Sequence, residues 1–252
     1  MKRLLGVIIA LSVTTAAAYA QTGSSFDLPV LKLQQQTGGG QTLSLSLQAL
    51  LLMSALTLLP SLVLVTTSFT RIIITLSILR QALGTQQTPP NQVLVGLALF
   101  MTLFVMAPTF KEINTQAIAP YNAGQATLEQ AGERTIGIMK GFMLRQTRQS
   151  DLLLMAEMQG GERYNTPEEI PITTVVPAYI LSELRTAFTI GFLLFLPFLV
   201  IDIVVASILM SLGMMMLSPT LVSLPFKLFL FVAVDGWAMT MSSLVESFNK
   251  AF

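Results

Sequence analysis

Four long apolar stretches divide the chain, separated by shorter polar ones. The first runs from Leu43 to Phe69 and contains Pro60. The second runs from Val93 to Ala107 and stops at Pro108. The third, Ala187 to Leu217, contains Pro197 and Asp202; the fourth, Leu221 to about Val245, contains Pro225, Lys227 and Asp235. Each is long enough, or nearly so, to cross the ~30 Å of a hydrocarbon core as a helix. The pattern predicts an all-α membrane-associated protein. A first hydrophobic hairpin covers 43–110, an amphipathic helical segment 111–186, and a second hydrophobic hairpin 187–252. No internal repeat is present.

Residues 1–20 follow a different rule. Lys2 and Arg3 precede a ten-residue apolar core, Leu4 to Val13, which is too short to span a bilayer. Ala18-Tyr19-Ala20 then supplies the small-x-small pattern of a signal-peptide cleavage site, placing the cut between Ala20 and Gln21. Residues 21–42 are polar and end in Thr37-Gly38-Gly39-Gly40-Gln41-Thr42, which reads as a flexible lead-in.

Composition narrows the function. Of 252 residues, 53% are apolar and 11% charged, with a mean hydropathy of +0.70. One globule cannot hide so much apolar surface when a soluble domain is about 25% charged. The absence of Cys and His removes disulfides, thiolate or imidazole metal sites, and Ser-His-Asp or Cys-His catalysis. A net charge of +1 gives no reason to expect nucleic acid as a partner. No cofactor and no catalysis are expected. The connection from Arg71 to Gln92 carries Arg71 and Arg80 and no acid, so the positive-inside rule places it in the cytoplasm. Segment 111–186, with seven basic and nine acidic residues, then lies on the outer side.

That segment has helical punctuation. Thr127-Leu128-Glu129-Gln130 has capping-box spacing, and Ile136, Met139 and Met143 follow at helical intervals. Asp151 is placed to cap a second short helix through Met158, ended by Gly160-Gly161. Thr173 or Thr174 with Pro177 opens a helix that continues into the third apolar stretch. Gln86-Gln87-Thr88-Pro89-Pro90-Asn91 is a turn, either plain or a contact point for a partner.

Two groups of residues carry candidate function. Met214-Met215-Met216 lies between Gly213 and Ser218-Pro219, where a helix should break. Flexible thioether side chains either fill a hydrophobic turn there or, repeated around a ring, close a pore. Charges in apolar surroundings form the second group: Glu183, Arg185, Asp202, Lys227 and Asp235. Counted from Ser218 at ~1.5 Å per residue, Asp202 lies about 24 Å deep and Lys227 about 14 Å. Asp235 is level with Asp202 on that count. The mismatch predicts that Lys227 pairs with a carboxylate of a neighbouring subunit or through a helix bend. Glu183 and Arg185 are two apart, so they face different ways and pair with other chains or with solvent. Lys227 and Ser223 share a face, which leaves a Ser-Lys pair geometrically open.

Longer strings carry a specific resemblance. FTRIIITLSILRQALGTQQTPPNQVLVGLALFMTLFVMAP from Phe69, VPAYILSELRTAF from Val176, GFLLFLPFLVIDIVVASILMSLGMMMLSP from Gly191 and LPFKLFLFVAVDGW from Leu224 closely resemble the FliP family. That family supplies a subunit of the flagellar type III export gate. Injectisome relatives share much of the pattern, but the signal peptide and long outer segment match the flagellar version better. The resemblance implies a helical oligomeric channel passing unfolded flagellar substrates across the inner membrane. It implies a pentamer with FliQ-like and FliR-like subunits, standing partly on the periplasmic side of the flagellar basal body. FlhA-like and FlhB-like gate components and an export ATPase would supply energy. It also implies that Met214, Met215 and Met216 match a pore-closing gasket, and that the apolar stretches pack against subunits as well as membrane lipid. An ion or small-solute transporter using Asp202, Lys227 and Asp235 is the alternative class.

Overall fold

The computed structural model describes residues 41–85, 87–160, 164, 166, 169–214 and 216–249. The expected signal peptide, the Ala20–Gln21 junction, most of the polar lead-in, Gln86, Gly161 and Met215 lie outside the described residues. Every element among the described residues is helical: α1 (Gln41–Val65), α2 (Phe69–Ala82), α3 (Asn91–Ile113), α4 (Ala119–Asn122), α5 (Leu128–Gln146), α6 (Gln149–Met158), α7 (Ile172–Ser211), α8 (Pro219–Ala233) and α9 (Gly236–Asn249). A π-helical turn, Asn114–Ile118, joins α3 to α4. By internal contacts the chain divides between Leu58 and Leu59, inside α1. In the first unit, the consecutive residues Leu50, Leu51, Leu52 and Met53 are all exposed. Everything below concerns the second unit.

Hydroxyls end α1. Thr66 Oγ1 donates to the carbonyls of Leu62 and Val63, and Thr67 Oγ1 donates to that of Leu64. These bonds satisfy carbonyls that a terminated helix leaves open. α2 then begins at Phe69, so the expected cytoplasmic connection after Arg71 is a buried helix instead. The connection proper is the short turn between Ala82 and Asn91, and it includes the polar Pro-Pro turn.

α2 is the centre of packing. Its Ile72 and Leu76 meet Leu94 and Ala98 of α3 and Leu244 and Phe248 of α9. Leu79 and Ala82, with Leu83, meet Phe198 of α7 and Phe231 of α8. A third cluster joins Met106 of α3, Phe142 and Met143 of α5, and Val175 and Tyr179 of α7. Fully burying a side chain of this size contributes about 1.5–3 kcal/mol, so α2 holds the surrounding helices in register. Gly191 lets α7 approach α2 closely, because a Cβ there would run into the Ile78 side chain.

Prolines end fewer helices than expected. The second apolar stretch does not stop at Pro108; the helix continues through it to Ile113 and beyond. The loss of one ladder bond is tolerated inside a packed helix. Further on, Pro120 cannot donate to the Gln116 carbonyl four residues earlier. Arg134 Nη1 of α5 donates to that carbonyl instead, at 3.0 Å. The helical run Asn91–Asn122 is 32 residues long and α7 is 40, and both are long and apolar enough to cross a membrane. At ~1.5 Å per residue α7 measures about 60 Å, twice a hydrocarbon core. Its first turns accordingly pack among α5 and α6.

The fourth apolar stretch is two helices. α8 and α9 meet at a 64° bend, so the pair is either a broken span or a re-entrant one. Asp235 sits at the break with φ +51 and is exposed. Its amide donates to the Val232 carbonyl, and its carbonyl accepts from Met239. The expectation that Asp235 lies buried level with Asp202 is therefore corrected: it caps a helix joint. Gly236 follows directly under the Phe231 ring, where no Cβ would fit. Trp237 meets that ring edge-on at 5.4 Å between centroids.

Candidate functional site: a methionine turn and its polar supports

α7 ends in a Schellman arrangement. Gly213, at φ +76, donates to the Met210 carbonyl, and Met214 N–H donates to that of Leu209. The left-handed conformation at Gly213 is what lets the chain reverse without a Cβ clash. Ser218 precedes Pro219, which occupies the first turn of α8, where a missing N–H costs nothing. Between these caps, Met214 is partly exposed and Met216 is fully exposed at the tip. The methionines thus stand at a helix break, as their flanking residues predict, and not on a helix face. From Val204 to Ser223 the chain carries no charge.

Behind the turn, α7 and α8 are tied by one polar cluster. Lys227 Nζ lies 2.6 Å from Asp202 Oδ2 and donates to the Ala82 carbonyl at 3.1 Å. Ser223 Oγ donates to Asp202 Oδ1 at 2.6 Å. Asp202 is therefore a partner of Lys227 within the chain, which the depth count placed out of reach in a straight hairpin. The depth count erred because it treated residues 212–218 as helical rise on one side only. Measured from the helix ends, Asp202 lies nine residues before Ser211 and Lys227 eight after Pro219, about 13 and 12 Å. The ammonium also caps α2, whose last carbonyls carry partial negative charge. Lys227 is held by a carboxylate and a carbonyl, and the Ser223 hydroxyl turns to Asp202 rather than to Lys227.

Glu183 forms a second cluster. It is fully buried and paired with Arg71, which is equally buried. Arg71 Nε donates to Glu183 Oε2 at 2.9 Å, Nη2 to Gln146 at 3.2 Å, and Nη1 to both the carbonyl and hydroxyl of Ser247 at 3.0 and 3.1 Å. Its guanidinium carbon stands 3.8 Å from the Phe248 ring centroid. Gln146 in turn donates to the Phe248 carbonyl at 2.9 Å. The planar fork of arginine suits this many-sided site as lysine would not. The cluster joins α2, α5, α7 and the C-terminal carbonyls of α9.

Arg185 faces the other way and meets Asp151 at 3.1 Å. Asp151 is buried in the first turn of α6 and does not cap it. Beside it, Arg148 N–H donates to Ser182 Oγ at 3.1 Å. Glu183 and Arg185 therefore each have a partner inside the chain, Glu183 buried and Arg185 still exposed. The capping box forms as its spacing predicts: Gln130 N–H donates to Thr127 Oγ1 and the Gln130 side chain accepts from Thr127 N–H.

The sequence reading missed Arg71 and Gln146. The charge rule places Arg71 at the start of a cytoplasmic connection, although its neighbours Ile72, Ile73 and Ile74 signal an apolar setting. Nothing local marks Gln146. Among the described residues, no group of three His, Cys, Asp or Glu is placed to hold a metal ion.

Comparison with known proteins bears on this arrangement. The FliP family model matches residues 52–244. A flagellar biosynthetic protein FliP from Cereibacter sphaeroides is 61% identical over 220 residues, 87% of this chain and 73% of its own. One from Pectobacterium carotovorum subsp. carotovorum is 49% identical over 243 residues, 96% and 92% of the two chains. One from Bacillus subtilis (strain 168) is 49% identical over 208 residues, 82% and 94%.

Proposed function

This chain belongs to the FliP family, and on that premise we propose that it is a channel-forming subunit of the flagellar type III export gate. Copies of the chain, with FliQ-like and FliR-like subunits, surround a path for unfolded flagellar proteins across the inner membrane at the basal body. FlhA-like and FlhB-like components act beside them. The subunit performs no catalysis. Its segment 111–186 stands on the periplasmic side, after cleavage of a signal peptide between Ala20 and Gln21.

The observation that carries this reading is the inverted polarity of the second unit. The most apolar window of α7 is only 11% buried within the chain, while Arg71, Glu183, Lys227 and Asp151 are paired inside. Exposed large apolar surface marks contact with lipid or with other subunits. Phe188, Phe192, Phe226 and Phe229 belong to that exposed set and provide a ridged face suited to neighbouring helices. The methionine turn, apolar and projecting, is the part of that face suited to close an opening. A transporter reading draws no support from Asp202 and Lys227, which are spent on each other, or from Asp235 at its joint.

Purification in mild detergent followed by native mass determination tests the proposal. A large complex of defined stoichiometry is expected, and a monomer overturns it. Mass analysis of the mature chain should find its N-terminus at Gln21.

A further inference from the structure

Two polar side chains reach for the last carbonyls of α9, which a terminated helix leaves open. Arg71 Nη1 donates to the Ser247 carbonyl at 3.0 Å, and Gln146 Nε2 donates to that of Phe248 at 2.9 Å. Both donors have other anchors. Arg71 keeps Nε and Nη2 on Glu183 of α7 and on Gln146 at the end of α5. The Gln146 amide is thereby set one way round: its oxygen accepts from Arg71, which leaves its nitrogen facing Phe248. Its backbone carbonyl accepts from Ser182 of α7 at 3.4 Å. Apolar packing draws the same boundary. α9 enters one core cluster, through Leu244 and Phe248. The clusters around Phe198 and around Tyr179 contain no residue of α9, and neither does the Arg71–Glu183 pair. The helices that meet the far end of α9, namely α2, α3 and α5, all precede it in the chain.

We propose that α9 is a closing strap, which docks last on a frame of α2, α3, α5 and α7, and that Arg71 and Gln146 are the preset jaws that hold its C-terminal end. The charged groups are paired before the strap arrives, so closure has only α9 to order and no ion to bury alone. A helix that adds to a frame in this way opens and closes as a local unit, at less than the cost of unfolding the whole. Gln146 makes closure depend on segment 111–186. It is the last residue of α5, so the Phe248 carbonyl finds its donor only where α5 has already reached Arg71. That closure precedes assembly with other subunits rests on the channel reading above; the strap itself does not.

The chain has no cysteine, so one introduced thiol can be followed by maleimide labelling of the full chain in detergent. Leu244→Cys reports the strap and Val175→Cys reports the frame; both side chains are fully buried. Both thiols should be protected in the otherwise unchanged chain. Gln146→Glu keeps an acceptor for Arg71 and takes the donor away from the Phe248 carbonyl. It should raise labelling at 244 by about tenfold, as expected for one buried group left unpaired, and leave 175 protected. Phe248→Leu keeps the backbone carbonyl and loses the ring stacked on the guanidinium. It should act in the same direction, and it decides the matter where Gln146→Glu fails to accumulate. Ser247→Ala removes the hydroxyl acceptor and leaves the carbonyl, so its rise should be smaller. Equal rises at 244 and 175, or protection at 244 that no variant changes, overturns the strap. Native mass of Gln146→Glu then separates the two readings. A monomer with 244 opened supports closure before assembly, and full assembly with 244 opened overturns it. A monomer from the unchanged chain defeats the channel reading and leaves the labelling result to judge the strap.

Discussion

Around Arg71 the chain ties buried charges together with directional bonds, whereas around Met216 it carries no charge at all. Arg71 and Glu183 have no exposed side-chain surface, and their partners come from four helices. At the turn, Gly213 and Pro219 set the course of the backbone, and Met214 and Met216 are exposed. The contrast separates two physical tasks. Directional charge-assisted bonds fix a unique arrangement, because any departure leaves a buried charge alone. Thioethers fill whatever space they are given, because they have several rotatable bonds and no directional demand. A gate needs both, one to hold the frame and one to yield.

Substitutions should therefore cost much at one end and little at the other. Arg71→Ala strands Glu183 in an apolar interior, which costs about 3–5 kcal/mol, and it also uncaps α9. Accumulation of folded protein in membranes should be nearly lost. The double change Arg71→Met with Glu183→Leu should recover part of that yield, since no charge is then buried. Equal loss in the single and double variants would show that the Ser247 contacts matter more than the ion pair.

Lys227→Ala comes next. It removes a charged hydrogen-bond donor, at about 1.5–3 kcal/mol, but Asp202 keeps some contact with its surroundings and can be solvated. Assembly should fall more than transport per assembled complex. A fully assembled but export-dead complex would move Lys227 from support to chemistry. Gly191→Ala forces Ile78 aside, and overpacking of this kind costs about 1–3 kcal/mol. Ile78→Val should offset part of the loss in thermal stability, which would identify the α2–α7 approach as the cause. Thr127→Ala removes the capping-box hydroxyl and should lower stability by about 1 kcal/mol. Met216→Ala, at a fully exposed side chain, should change stability by no more than about 0.5 kcal/mol.

The two regions also differed in how readily they were legible from sequence. The turn was readable because its signals are local: Gly before the methionines, Ser-Pro after them, and no charge nearby. The capping box at Thr127 and the run of α7 from near Pro177 were readable for the same reason. The Arg71 cluster was not, since its partners lie far apart in the chain and only the fold brings Gln146 and Ser247 together. The charge rule then took Arg71 for a loop residue. Lys227 and Asp202 were visible as charges but were mispaired, because hydropathy gives no length for the turn between two helices. Asp235 looked like an intramembrane charge because hydropathy averages across a bend; a left-handed Asp leaves no mark in a window of apolar neighbours.

In the proposed channel, the methionine turn acts as the yielding seal. Ion conductance of cells making matched amounts of assembled complex tests it most directly, comparing the parent with the variant carrying Ala at 214, 215 and 216. Shortened side chains should leave the apolar constriction unfilled and hydrated, so conductance should rise in the triple variant. Replacement by Leu should instead stay closed and export less, because the branched side chain deforms less readily. A triple Ala variant that assembles normally and leaks no more than the parent would contradict the account.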